Sequence, residues 1–278
     1  MSKIRLDVAL VARGLFPSRE QALRAILAGE VKVNENVILK AGQQVDPEKD
    51  LFLVEGKDRF ASRGGLKIEK GLETFGVSAE GRVVLDVGAS TGGFTDCLLK
   101  AGARQVFAID VGYGQLAWEL RNDSRVVVLE RTNIRYLSPE KIALSIEGAH
   151  FPTLAVIDVS FISLAKVLPS VERLLSAPGE VVALVKPQFE AGRGKVGKKG
   201  VVRDPDVHLA VLEAVHDFAR GSGWSVVAAT HSPLTGPEGN IEFLVHLRKS
   251  SEVEKIDFAG VVEEAHRELH GKTDRHRL

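Results

Sequence analysis

Residues 82–93 read RVVLDVGASTGG, and this stretch decides the fold of the 278-residue chain. Its first half is rich in valine and leucine, as expected for a strand that is buried on both faces. A helix is predicted directly after the glycines, because apolar side chains recur at helical spacing, at Phe94, Cys97, Leu98 and Ala101. An α/β fold uses a strand, a glycine turn and a helix to hold a nucleotide-like ligand at the carboxyl edge of its sheet.

An acidic residue on the strand narrows the kind of ligand that this turn would hold. Asp86 lies two positions before Gly88, the first glycine of the turn. A turn that binds a pyrophosphate needs no carboxylate there, whereas a ligand with an ammonium group, such as the methionine end of S-adenosylmethionine, does. The glycines do not form a true G-x-G-x-x-G, so a plain structural turn is the alternative to the ligand-binding interpretation that we favour.

Two further polar residues follow the next apolar runs. Asp110 ends residues 105–109, a position that suits hydrogen bonds to ribose hydroxyls in NAD enzymes and methyltransferases alike. Asn133 lies just past residues 125–129, near the expected base of a bound nucleoside, and an ordinary turn asparagine is an equal alternative there. The residues that we predict to bind the cofactor are Asp86, Gly88, Ser90, Gly92, Gly93, Phe94, Asp110 and Asn133.

The composition predicts one large domain and one small one with an ordinary apolar core. Lys and Arg balance Asp and Glu, 37 against 37, so contacts with nucleic acid must come from local basic patches. A single cysteine, Cys97, excludes an internal disulfide and fits a reducing, cytoplasmic location. The eight histidines lack ligand spacing, which predicts no metal site, and no apolar run approaches the length of a transmembrane helix.

Residues 1–60 are predicted to form a separate small α+β domain with its linker. Leu6, Leu10 and Val11 indicate a first helix, and Ser18 with Gln21 form a capping box for a second one. Short strands are expected over residues 31–33, 37–39 and 51–54, separated by turns.

This stretch resembles the small RNA-binding domain of ribosomal protein S4. The matching run is RLDVALVARGLFPSREQALRAILAGEVKVNENVILKAGQQV. The resemblance implies that the RNA-facing positions are Arg5, Arg13, Ser18, Arg19, Gln21, Arg24 and Lys32. The alternative is a solvated charged face, since Glu20, Glu30 and Glu35 offset the basic residues, and we favour RNA binding.

Residues 61–250 continue as alternating helices and strands. Helices are predicted over residues 64–75, 116–120, 139 onward, 164–175 and 207–218, and further strands over residues 154–157, 181–185, 224–229 and 241–247. The last two strands follow each other without a helix, so the final one must run antiparallel. Dinucleotide dehydrogenases do not usually end in such a hairpin, and S-adenosylmethionine methyltransferases with a Rossmann-like sheet do. Residues 251–278 form a charged tail, predicted as one helix with a frayed end.

Residues 188–204 are predicted to form a long loop rich in glycine and basic side chains. Loops of this length usually act on a substrate or stay mobile. We predict that Arg193 and Lys198 contact RNA, and a simple flexible surface loop is the alternative.

Four charged residues gather at the predicted carboxyl edge of the sheet. Asp158 and Lys186 end successive strands, Glu242 begins the antiparallel strand at the same edge, and Lys67 comes from the helix that leads into the first strand. Singly, each has an ordinary explanation as a surface or helix-capping residue. Together with the glycine turn they indicate a catalytic site.

Their order matches the Lys, Asp, Lys, Glu tetrad of the FtsJ/RrmJ-type ribose 2′-O-methyltransferases, which these motifs resemble. The motifs are SRGGLK, LDVGASTGGFTD, ERTNIR, IDVSFISL, VKPQFE and NIEF. An S4-like domain fused to such an enzyme resembles the TlyA family, described as ribosomal RNA 2′-O-methyltransferases and hemolysins. The resemblance implies S-adenosylmethionine as the cofactor and ribosomal RNA or ribosomal subunits as the partner. This chain departs from many RNA enzymes in its zero net charge.

The chemistry fits these residue types. A ribose hydroxyl is a poor nucleophile, and a lysine whose pKa is lowered by burial or a neighbouring cation can take its proton. We assign that role to Lys186, with Asp158 near the methyl group and orienting this lysine. Lys67 is expected to lower the pKa of Lys186 and to hold the ribose or phosphate, and Glu242 to orient Lys67 or the ribose. Which lysine loses its proton stays open at this stage, as do the target nucleotide and the oligomeric state.

Three other functions compete with this one. A dehydrogenase would share Asp110 and the glycines, but Asp86, the terminal hairpin and the paired lysines disfavour it. A non-catalytic RNA-binding or ribosome-assembly protein is disfavoured by the complete tetrad. A hemolysin-type membrane activity has little support, because nothing in the chain is long and apolar enough for a spanning helix.

Overall fold

The computed structural model describes residues 3–16, 18–27, 31–34, 36–50, 52–54, 59–144, 151–197, 200–249 and 255–273. The chain divides into two compact units, Met1–Arg59 and Phe60–Leu278.

The first unit packs two helices against short antiparallel strands. Its elements are β1 (Ile4–Arg5), α1 (Leu6–Ala12), α2 (Arg19–Leu27), β2 (Val31–Val33), β3 (Asn36–Val37), β4 (Gln44–Val45) and β5 (Phe52–Val54). Strand β2 lies between β3 and β5, while β1 pairs with β4 in a separate ladder that the sequence pattern does not reveal, because two-residue strands show no alternation. Leu6, Leu10 and Ile26 are fully buried at the centre of the unit.

The second unit is built on a seven-stranded sheet. Its strands are β6 (Val83–Val87), β7 (Gln105–Ile109), β8 (Val126–Leu129), β9 (Leu154–Ile157), β10 (Glu180–Val185), β11 (Ser225–His231) and β12 (Phe243–Arg248). Their order across the sheet is β11-β12-β10-β9-β6-β7-β8, and β12 runs antiparallel to both of its neighbours. The Rossmann-like sheet with a terminal antiparallel hairpin is therefore confirmed.

Helices cover both faces of this sheet. They are α3 (Gly64–Phe75), α4 (Gly93–Lys100), α5 (Trp118–Arg121), α6 (Pro139–Ala143), α7 (Leu168–Leu174), α8 (Pro187–Glu190), α9 (Pro205–Gly221) and α10 (Phe258–Thr273). Every residue of β6 is buried, which agrees with a strand covered on both faces. Each large apolar side chain that is fully buried between the helices and the sheet contributes about 1.5–3 kcal/mol to the stability of the fold.

Two predicted segments differ from the structure. The helix expected over residues 164–175 is split into a 3₁₀ turn, Leu164–Lys166, and α7, because Pro169 restricts the chain to the first turn of a new helix. The prediction of a continuous loop over residues 188–204 is wrong at its start, because Pro187 begins helix α8. Near the end of this segment, the side chains of Val201 and Val202 are buried.

The charged C-terminal segment contributes a helix to the core of the second unit. On α10, Phe258, Val262, Ala265 and Leu269 are buried, and the helix packs against α9 and β11. No helix among the described residues combines the length and the apolar character needed to cross a bilayer.

Candidate active site

The glycine turn between β6 and α4 brings two strand ends together. Gly88 has a φ of 93°, and its N–H donates to the carbonyl of Ile109 at 2.8 Å. A Cβ at position 88 would lie only 2.4 Å from the backbone oxygen of Asp158. Only glycine tolerates both this φ and this contact, so the ends of β6 and β9 can meet here.

Asp86 is a buried acid with one unsatisfied oxygen. Its side chain is fully enclosed, Oδ2 accepts a hydrogen bond from Thr95 Oγ1 at 2.5 Å, and Oδ1 has no partner among the described residues. Burial raises the pKa of this carboxyl to about 7. A buried acceptor without a donor fits the ammonium group of S-adenosylmethionine, so this residue is suited to the cofactor.

Asp110 organises the backbone next to this turn. Its Oδ2 accepts from the N–H of Ser90 at 2.8 Å, and its Oδ1 accepts from the N–H of Gly112 at 2.6 Å. Each carboxylate oxygen has a second lone pair, so both can still accept a ribose hydroxyl. Ser90 has a φ of 49°, and such backbone strain at a non-glycine residue is typical of functional turns.

The other residues predicted for the cofactor also make structural contacts, and their contacts with a ligand stay predictions. Gly92 has a φ of 95°, and a Cβ at Gly93 would lie 2.3 Å from Ser62 Oγ. Phe94 is buried in the core, so only its backbone can face a ligand. Asn133 accepts a hydrogen bond from the N–H of Arg135 and caps a 3₁₀ turn, and its contact with the base of the cofactor stays a prediction.

The structure brings the four tetrad residues into two ion pairs. Lys67 Nζ lies 2.5 Å from Glu242 Oε2, and Lys186 Nζ lies 2.5 Å from Asp158 Oδ1. Lys67, Glu242 and Lys186 are nearly or fully enclosed, whereas the Asp158 side chain is 20% exposed. Charges held this far from water interact strongly, because little solvent screens them.

The register of the sheet places these pairs beside each other. Val185 pairs with Phe243, so Lys186 and Glu242 occupy the next positions along neighbouring strands. Asp158 follows β9, which pairs with both β6 and β10. The tetrad and the glycine turn therefore share the carboxyl edge of the sheet, where α/β folds bind ligands.

Close packing of the SRGG segment positions Lys67. A Cβ at Gly65 would lie 2.3 Å from the ring of Phe60, and a Cβ at Gly93 would lie 2.9 Å from the backbone nitrogen of Gly65. The glycines thus allow the start of α3 to approach the start of α4. This approach brings the first turn of α3, with Lys67, to the glycine turn.

Sequence reasoning missed two polar residues at this edge. Thr95 is the hydrogen-bond donor to Asp86, and Ser160 Oγ accepts a hydrogen bond from Lys186 Nζ at 3.0 Å. Both stand inside motifs quoted above, but a lone hydroxyl has no spacing signal that would single it out.

The first unit positions its arginines through a buried acid that sequence reasoning also missed. Asp7 accepts hydrogen bonds from Arg5 and Arg19, whose side chains remain 50% and 60% exposed. The hydrogen bond from Arg5 is the main reason that the pKa of Asp7 falls to about 2. The two guanidinium groups therefore lie side by side, partly exposed.

The remaining residues predicted to contact RNA have varied surroundings. Arg24 pairs with Glu20 on an exposed helix face, and Arg13 lies over the ring of Phe52. Ser18 accepts a hydrogen bond from the N–H of Gln21 at 3.3 Å, as one half of a capping box, and Lys32 lies on β2. In the second unit, Arg193 opens a 3₁₀ turn, and Lys198 lies outside the described residues.

One group of side chains in the described part of the chain has the spacing of metal ligands. Ligand atoms of His231, Glu264 and Glu268 lie within 4.8 Å of one another. Lys70 Nζ lies 3.1 Å from His231 Nε2, and an ammonium group at this place disfavours a cation. The group escapes sequence analysis because His231 ends β11, whereas both glutamates lie on α10, more than 30 positions later.

Comparison with known proteins matches both units to described families. The FtsJ-like methyltransferase family matches residues 60–249, and the S4 domain matches residues 4–51. YqxC of Bacillus subtilis is 50% identical over 97% of this chain and 96% of its own length. The 16S/23S rRNA (cytidine-2'-O)-methyltransferase TlyA of Mycobacterium tuberculosis is 45% identical over 96% of this chain and 97% of its own length. A solved Streptococcus thermophilus protein with a hemolysin designation has a TM-score of 0.76 and 44% identity, over 99% of both chains.

The fold and the site define an S-adenosylmethionine-dependent methyltransferase of the FtsJ-like class, preceded by an S4 domain. The chain belongs to the TlyA family.

Proposed function

We propose that this enzyme transfers a methyl group from S-adenosylmethionine to a ribose 2′-hydroxyl of ribosomal RNA. The observation that carries the proposal is the pairing of Lys186 with Asp158 and of Lys67 with Glu242 beside the glycine turn. Two enclosed lysines at one sheet edge suit a reaction that must handle both a hydroxyl proton and a ribose phosphate. The name of the Mycobacterium tuberculosis relative supports the same substrate.

In this mechanism, Lys186 takes the proton of the 2′-hydroxyl. S-adenosylmethionine, when bound, supplies a methyl group that is activated by its sulfonium. Asp158 holds Lys186 at the end of β10 through their ion pair. Most of the rate gain comes from alignment, because the reaction is an in-line displacement.

Lys67 and Glu242 position the ribose. The Lys67 amine donates to Glu242 Oε2, and Glu242 Oε1 is buried without a partner among the described residues. Glu242 is fully enclosed and fixes the ammonium group of Lys67, whose side chain keeps 12% exposure and contacts the ribose or its phosphate. Asp86 and Asp110 hold the ammonium and ribose ends of the cofactor.

RNA binding is assigned to residues 1–60 and to the basic segment 188–204. Arg5 and Arg19 are partly exposed and lie together, an arrangement that suits a phosphate. Residues 61–250 carry out catalysis, and α10 packs against α9 and β11 of the same unit. We place the enzyme in the cytoplasm, because ribosomal subunits are found there and a free cysteine is compatible with its reducing environment.

The test is the substitution Lys186→Ala, assayed by mapping ribose methylation on purified ribosomal subunits. Affinity for S-adenosylmethionine should stay within about twofold, while turnover should fall by roughly 10²–10⁴, the scale of acid–base assistance. Lys166→Ala is the matched control, because this lysine belongs to the same unit, is exposed and is not a member of the tetrad. Near wild-type methylation by Lys186→Ala with saturating cofactor would refute the assigned role.

A further inference from the structure

Lys186 has a hydrogen-bond acceptor outside the tetrad. Its Nζ donates to Ser160 Oγ at 3.0 Å, and Ser160 lies two residues past Asp158 on an exposed turn. Asp158 Oδ1 is closer to Nζ, but this contact is an ion pair without hydrogen-bond geometry. Among the described residues, Ser160 is therefore the side chain that makes a directional bond to the lysine.

The two contacts respond differently when the lysine becomes neutral. The attraction of Asp158 depends on the positive charge of the ammonium group, and most of it is lost once Lys186 gives up a proton. A neutral amine still has two N–H groups, so it can still donate to the hydroxyl of Ser160. The directional bond therefore persists in the form of the lysine that acts as a base, and it limits where the lone pair can point.

The turn that carries Ser160 is fastened to the helix that follows Lys186. Glu190 Oε1, on α8, accepts a hydrogen bond from the N–H of Leu164 at 2.8 Å. The ring centroids of Phe161 and Phe189 lie 5.0 Å apart, which ties the same two segments together. Phe161 has a φ of 64°, a conformation that a phenylalanine keeps only when its surroundings enforce it.

We propose that Ser160 is a positioning residue that directs the lone pair of Lys186 toward the ribose 2′-hydroxyl. The inference rests on the proposed function, because it assigns a partner to the base of that reaction. In the step itself, the hydroxyl proton moves to Nζ, the ribose oxygen bonds to the methyl carbon, and the methyl–sulfur bond breaks. The thioether leaves as S-adenosylhomocysteine, and Lys186 later releases its proton to solvent.

The experiment compares three substitutions in the full-length enzyme on ribosomal RNA. Ser160→Ala should lower kcat about tenfold, since misdirection of a reacting group is costly, and should leave KM for the RNA within about twofold. Ser160→Thr keeps the hydroxyl and should recover kcat to within about threefold of wild type. Ser163→Ala is the matched control, because Ser163 lies on the same turn but caps the backbone at Ala165.

The outcomes separate this inference from the proposed function. An inactive wild-type enzyme with intact cofactor binding would overturn the proposed function itself. An active wild type with an unchanged kcat in Ser160→Ala would overturn only the role of Ser160. An equal loss in Ser160→Ala and Ser163→Ala would show that the turn matters only as structure, and failure of Ser160→Thr to recover activity would also contradict the inference.

Discussion

Asp86 shows how one residue can be costly for the fold and useful for the ligand. Its carboxyl is fully enclosed, has one partner in Thr95, and has a pKa raised to about 7 by burial. At neutral pH the Asp86 carboxyl is therefore partly ionised, although it is buried away from water and has too few hydrogen-bond donors. A cationic ligand that supplies the missing donor would remove this penalty, which is a physical reason for placing the ammonium group of the cofactor here.

Asp86→Asn should raise stability and lower cofactor affinity at the same time. The folded pKa is above the unfolded one, so wild-type Asp86 reduces stability as pH rises from about 4 to about 7, and the loss persists above 7. At pH 8 the variant should be more stable by roughly 1–4 kcal/mol in urea unfolding, and S-adenosylmethionine should bind at least about tenfold more weakly by calorimetry. Unchanged affinity would remove Asp86 from the cofactor site.

At the scale of elements, Glu180 joins three strands at the edge opposite the active site. It stands at the start of β10 and pairs with Arg82 before β6 and with His246 and Arg248 on β12. The hydrogen bond from His246 is the largest cause that lowers the pKa of Glu180 to about 2. The antiparallel strand β12 is thus held by charge as well as by its backbone ladder.

Glu180→Gln should destabilise the enzyme by about 2 kcal/mol at pH 7, because it leaves Arg82 and Arg248 without their counter-charge and weakens the hydrogen bond with His246. The folded pKa lies below the unfolded one, so this stabilisation is complete above about pH 4.5 and is lost as pH falls through about 2. Urea unfolding should therefore show the gap to wild type narrowing between pH 5 and 2. Glu213→Gln, on an exposed position of α9, is the control. A gap that does not change with pH would contradict the charge argument.

At the scale of the whole molecule, the two compact units imply a division of labour. Met1–Arg59 carries the arginine pair with Asp7, whereas the glycine turn and the tetrad both lie within Phe60–Leu278. The chain has no net charge, so RNA affinity must depend on where the basic groups are placed.

Deletion of residues 1–59 should leave S-adenosylmethionine affinity within about twofold and weaken binding to ribosomal RNA. The dependence of affinity on salt should also become shallower, because fewer phosphates are neutralised. The double substitution Arg5→Ala and Arg19→Ala in the full chain should reproduce part of both effects. If the shortened enzyme methylates ribosomal RNA as well as the full chain, the first unit does not anchor the substrate.

Local pattern by itself determined the strand, glycine turn and helix around Gly88, and the antiparallel last strand. These features depend on neighbours along the chain: apolar runs, glycines and the absence of a helix between β11 and β12. Only the tertiary structure decided which charges meet. Lys67 contacts Glu242 across 175 positions, and Ser160 rather than Asp158 makes the directional bond to Lys186. Such contacts arise from the register of the strands and from the close packing that Gly65 and Gly93 allow. Both bring together residues that lie far apart along the chain, so no local sequence pattern predicts them.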